Sequence, residues 1–100
     1  MYEMLVGLDV SNDDVYQVYR NAMRPILESY GGSFGYDFRV SEVLKSESNF
    51  KINRVFTIRF PSEQIMNDFF SSPKYTAVKK KYFELSVLST TIIAGYEKHT

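Results

Sequence analysis

Asp37, Arg39 and Arg59 are the residues best placed by type and spacing to do chemistry. Each falls at an alternate position of an apolar–polar stretch, so the three are expected on one face of a sheet. A carboxylate among guanidinium groups in a water-poor site suits proton transfer. An arginine would hold an anionic or enolic oxygen, and Asp37 would accept the proton. The preferred reading of the same charges is plainer, an ion-pair network between strands or across a subunit interface. Tyrosines form the second candidate set. Tyr16, Tyr36 and Tyr75, with Tyr19, Tyr30 and Tyr82, offer an aromatic ligand pocket between helices and sheet. Tyrosines at helical spacing more often pack in a core with their hydroxyls reaching the surface.

Other chemistries are poorly supported. His99 is the only histidine, and a residue so near the chain end lacks the second group that would hold it for general-base or haem-ligand work. Lys74 and Lys79-Lys80-Lys81 form a basic run, read as a solvated helix face because Glu84 follows. There is no P-loop, dinucleotide fingerprint, zinc spacing or catalytic-serine motif. Neither a metal nor a cofactor is expected.

Composition narrows the class. The chain has 100 residues, 12 basic and 12 acidic, and therefore lacks the electrostatic footprint of a nucleic-acid binder. It has 8 Tyr and 8 Phe but no Cys, which rules out a disulfide framework and a thiolate nucleophile. The first apolar run, Met4 to Leu8, is too short for a signal peptide or a membrane span. One cytoplasmic domain over residues 1–100 is the expectation.

The elements that must position these residues follow from periodicity. Tyr2 to Val10 alternates as a strand. Ser11, with Asp14 three residues on, resembles a capping box for a helix whose apolar residues run from Val15 to Tyr30. Pro25 predicts a kink or loosened turn near residues 21–24, and Gly31-Gly32 ends the helix. Residues 33–44 and 53–60 read as strands two and three, joined by a polar connection. Ser62 and Ser72-Pro73 each start a short helix. The β-branched run within 88–96 is the fourth strand, and 97–100 a tail.

The order β-α-β-β-α-β is the α+β, ferredoxin-like arrangement, a four-stranded antiparallel sheet with its helices on one face. The bare face is expected to carry Leu5, Gly7, Asp37, Arg39, Val55, Thr57, Arg59, Thr91 and Ile93. That mixed apolar set calls for a second copy packed against it, hence a homodimer. An RNA-recognition domain shares this order, but Arg54 to Phe60 lacks the glycine and the spaced, exposed aromatics its third strand needs.

Tyr30-Gly31-Gly32, then Phe60-Pro61-Ser62, then Phe69-Phe70 ahead of Ser72-Pro73-Lys74-Tyr75, resembles the family known as domain of unknown function 1330. Pro25 and Gly95 fit the resemblance, which spans nearly the whole chain. It implies a dimeric α+β barrel, in which two such sheets face one another with helices outside. Relatives of that architecture include cofactor-independent monooxygenases, muconolactone-type isomerases, haem-degrading proteins and stress-responsive proteins. Tyr75 lies in the most family-like motif and is the favoured single ligand contact. Two positions depart from the family pattern: Arg59 stands where an acidic residue is expected, and Tyr82 where an arginine is. The leading expectation is a small homodimer that binds a small aromatic or acidic metabolite. The alternative is a cofactor-independent oxygenase or isomerase acting on an enolisable substrate, with Asp37 as base and Arg39 or Arg59 as oxyanion partner.

Overall fold

In the computed structural model, which describes residues 1–99, β1 (Tyr2–Val10) is the interior strand that the others register against. It pairs antiparallel with β3 (Arg54–Phe60) on one side and β4 (Val87–Glu97) on the other. β2 (Ser33–Arg39) adds to β3, giving the strand order β2-β3-β1-β4. This is the expected four-stranded antiparallel α+β sheet.

Alternation decides which side chains meet the helices. Met4, Val6 and Leu8 sit opposite Ile58, Phe56 and Arg54 on the covered face. Glu3, Leu5 and Gly7 sit opposite Arg59, Thr57 and Val55 on the bare one. The core is the apolar side of that covered face together with Tyr16, Tyr19, Met23 and Leu27 of α1 (Asp13–Ser29) and Phe69 and Tyr75.

Helix ends follow local chemistry. Asn12, and not the expected Ser11, caps α1, its Oδ1 accepting the Val15 N–H at 3.0 Å. Ser11 instead ties α1 to the end of the last helical segment, its backbone N–H donating to Ser86 O at 2.8 Å. α1 continues through Pro25 without interruption. Asn21, whose carbonyl loses its N–H partner there, is exposed, so water can serve it. Ser62 and Ser72 cap α2 (Glu63–Ser71) and α3 (Pro73–Val78) as the sequence predicts, accepting the Ile65 and Tyr75 N–H groups, each at 3.2 Å. Beyond Val78 the helix widens into a π turn, Lys79–Phe83, in which the Glu84 N–H reaches back to Lys79 O, and α4 (Glu84–Ser86) finishes it.

The second strand is shorter than predicted, ending at Arg39. Val40 N–H donates to Asn53 O at 2.9 Å, closing a loop over residues 41–52. Asn53 anchors that loop to β1, accepting the Val10 N–H at 2.8 Å and donating to Val10 O at 2.9 Å.

β2 also slips register between Phe34 and Asp37. The Tyr36 N–H donates to the Thr57 hydroxyl at 2.7 Å in place of a ladder carbonyl. Gly35 makes room, since a Cβ there would collide with that hydroxyl and with the Arg59 guanidinium. The slip reverses the predicted faces downstream of it. Asp37 pairs with Phe56 and Arg39 with Arg54, both on the covered side, while Phe38 pairs with Val55 on the bare side. Asp37 and Arg39 are therefore not on the open face with Arg59.

Candidate functional site

Under α1, a cavity of about 200 Å³ crosses the covered face of the sheet from Phe34 on β2 to Ile92 on β4. Its floor is apolar, built from Val6, Leu8, Phe56 and Ile58. Its roof carries Tyr16, Tyr19 and Met23 from α1, with Tyr75 and Phe83 from the helices opposite. The partly exposed Phe70, Lys79 and Ile92 also border it. The π turn supplies both Lys79 and Phe83, in keeping with the frequent occurrence of such turns at functional sites.

The polar groups of the cavity are few and ordered. Arg20 is only 4% exposed. Its Nε donates to Tyr16 Oη at 2.7 Å, and its guanidinium lies over the Phe34 and Phe56 rings, 3.9 and 4.7 Å from their centroids. These faces stabilise a cation that burial alone would penalise. Its terminal nitrogens reach Asp37 at 3.3 and 3.5 Å, whereas Arg54 grips the same carboxylate at 2.8 and 2.9 Å. Burial works to raise the Asp37 pKa, but the Arg54 hydrogen bonds and the charges of Arg20 and Arg54 outweigh it and hold the carboxyl below its usual range. A carboxylate so held is a weaker base than an ordinary one.

Tyr19 and Tyr75 join hydroxyls at 2.8 Å, with rings 6.4 Å apart and edge-on. Burial raises the pKa of the Tyr16, Tyr19 and Tyr75 hydroxyls, that of Tyr19 well above the ordinary phenol range, so all three are neutral at physiological pH.

The six residues singled out from the sequence thus separate. Tyr16 and the covered-face Asp37 contact Arg20, and Tyr75, bonded to Tyr19, lines the same cavity. Arg39 is exposed at the end of β2, and Tyr36, 64% exposed, stacks on Phe38 on the bare face with ring centroids 5.7 Å apart. Arg59 lies on the bare face too, 3.5 Å from Glu3. Glu3 is buried there, accepting a hydrogen bond from the Tyr96 hydroxyl and one from Lys98 at 3.3 Å. The Tyr96 bond, with Lys98 and Arg59, lowers the Glu3 pKa against the opposing effect of burial. His99 is exposed, and Lys74, Lys80 and Lys81 are solvated as expected.

Sequence reasoning missed Arg20 and Glu3, while Lys79 is exposed as its basic run suggests and also borders the cavity. The charge of Arg20 points to the polar side of α1, although it follows Tyr16 by one helical turn and shares its face. Among the described residues, no group of His, Asp or Glu is arranged to hold a metal, and no helix is long and apolar enough to cross a membrane.

Comparison with known proteins agrees with this architecture. The family model described as "Domain of unknown function (DUF1330)" matches residues 3–96. A structure of a protein of unknown function from Rhodopseudomonas palustris superposes with a TM-score of 0.81 at 16% identity, covering 99% of this chain and 82% of that one. A dabb family protein with a ferredoxin-like fold from Mesorhizobium loti gives a TM-score of 0.67 at 13% identity over 99% and 97% of the two chains. A dimeric protein of unknown function with a ferredoxin-like fold from Bacteroides fragilis gives 0.54 at 14% identity over 97% and 95%. No match was found among curated protein sequences.

Proposed function

The chain belongs to the DUF1330 family, and from that premise we propose that it is a homodimeric protein that binds a small aromatic or acidic metabolite in the cavity beneath α1. The observation that carries this reading is the cavity itself, apolar over most of its lining yet furnished with a guanidinium and three tyrosine hydroxyls. Ligand sites commonly combine an apolar wall with a few convergent polar groups. An apolar cavity of about 150 Å³ accepts benzene, so the 200 Å³ found here suits one ring bearing a small substituent. We propose a cytoplasmic location for the protein.

Ile92 provides the test, because it borders the cavity while its side chain is half exposed. Ile92→Trp is expected to fill the cavity mouth and change stability by no more than about 0.5 kcal/mol, as for other partly exposed sites. In the parent chain, single-ring fragments should shift the NMR signals of Tyr16 and Tyr75, and in Ile92→Trp they should not. Equal shifts in both proteins would remove the cavity from consideration.

The dimer is proposed to form through the bare sheet face. Tyr36, Phe38 and Tyr96 are exposed there beside Leu5 and Val55, a surface that gains from cover. The Bacteroides fragilis neighbour, described as dimeric, supports a dimer. A sheet-to-sheet interface of this class buries on the order of 2,000 Å² in total. Sedimentation velocity at micromolar concentration should give a dimer, and Phe38→Glu a monomer. A parent chain that sediments as a monomer would rule the interface out.

A further inference from the structure

We infer that the cavity selects an aromatic monoanion, whose charged oxygen is met by Arg20 and by the tyrosine hydroxyls beside it. This rests on the proposal that the cavity is a binding site, and two independent counts carry it further.

The first is of charge. Arg20, Arg54 and Asp37 form one contiguous group, two cations and one anion, with a net charge of +1. Asp37 is shared by the two arginines and held more closely by Arg54, so Arg20, the member that lines the cavity, is only partly neutralised. Asp13, at the exposed start of α1, forms no ion pair with either arginine among the described residues, and its charge acts on Arg54, the arginine outside the cavity lining. Lys79, at the border, adds a second positive charge. In a site of low dielectric, this imbalance favours an anion far more than it would in water.

The second count is of hydrogen-bond donors. Arg20 has five N–H groups and spends three, on Tyr16 and Asp37. Tyr16 accepts from Arg20, and its own O–H has no acceptor among the described residues. In the Tyr19–Tyr75 pair one hydroxyl donates to the other, which leaves the second O–H unspent. The cavity therefore offers arginine N–H groups and two tyrosine O–H groups, with its only carboxylate neighbour already engaged. A ligand that fits must bring acceptors. A carboxylate, phenolate or enolate oxygen on a single ring satisfies both counts and the volume, and guanidinium is well matched to such oxygens.

Benzoate, benzamide and benzyl alcohol separate charge from shape. Binding is read by calorimetry and by NMR shifts of Tyr16, Tyr75 and Ile92. Benzoate should bind the parent chain at least about tenfold more tightly than the two neutral probes, the usual size of a charge-assisted hydrogen bond. Arg20→Gln should abolish that preference while leaving the neutral probes little changed, and Arg20→Lys should keep part of it. Should Arg20→Gln fail to fold, Tyr16→Phe serves instead and should weaken benzoate selectively. If the neutral probes bind in the cavity as tightly as benzoate, the charge inference is wrong and the binding site stands. If no probe shifts the cavity residues, the binding site itself is wrong.

Discussion

Asp37→Ala is expected to lower the unfolding free energy by about 3 kcal/mol, the low end of the range for removing one partner from a buried ion pair. The low end applies because the Asp37 side chain is a third exposed. Its loss leaves Arg20, almost fully enclosed, with only aromatic faces and the Tyr16 oxygen around it, while Arg54 keeps a like charge nearby. Urea denaturation gives the number. A second substitution checks its origin: in the Asp37→Ala background, Arg20→Met should restore a large part of the loss, because the stranded charge is gone. The acid limb gives a further check. The Asp37 pKa is lowered by folding, so its contribution is complete above the unfolded value of about 3.9 and disappears as pH falls through the lower folded value. Asp37→Ala should accordingly flatten the loss of stability below about pH 4. A decrease under 1 kcal/mol, or an unchanged acid limb, would mean that Arg20 does not depend on this carboxylate.

Phe69→Ala should be the most damaging single change in the chain, at about 4 kcal/mol, as for other fully buried aromatic residues. Phe69 has no exposure and its ring contacts four others, Tyr30, Phe60, Phe70 and Tyr75, at centroid distances of 4.6 to 5.7 Å. It holds α2 to the sheet through Phe60 and sets the position of α3 through Tyr75. The loss should therefore extend beyond stability. With Tyr75 free to move, the Tyr19–Tyr75 hydrogen bond should weaken and the NMR signals of both rings should broaden. Phe69→Leu keeps most of the volume and should cost about 1–2 kcal/mol. A cost below 2 kcal/mol for the alanine variant would place the centre of the core elsewhere.

Much of this fold is legible in the sequence because local signals agree there. The alternation of β1 and the serine caps at 62 and 72 each point to one answer and each is realised, and the period of α1 gives the helix although Val18 of its apolar set is exposed. What escaped was where a single residue breaks a period. The faces of β2 were read by strict alternation from Phe34, and a bulge at Gly35 undoes that reading two residues later. A glycine inside a strand is itself the signal for a bulge, but only the Thr57 hydroxyl across the sheet decides that it forms. Arg20 was hidden for a different reason. Charge suggested the solvent side of the helix, yet a guanidinium flanked by Tyr16, Phe34 and Phe56 can be buried, and two of those rings come from strands distant in sequence. The cavity is a property of how the sheet and helices meet, and no linear pattern encodes it.

The π turn at Lys79–Phe83 bears on how this molecule could change through descent. A π turn behaves as one residue too many for an α-helix, and each residue turns an α-helix by about 100°. Removing the extra residue would close the turn to a regular helix and change which side chain of Lys79–Phe83 borders the cavity, while the helix on either side keeps its register. The sheet, the caps and the Phe69 cluster lie outside that segment and would keep their places. A single-codon deletion in this turn would thus reshape the border of the cavity on an unchanged frame.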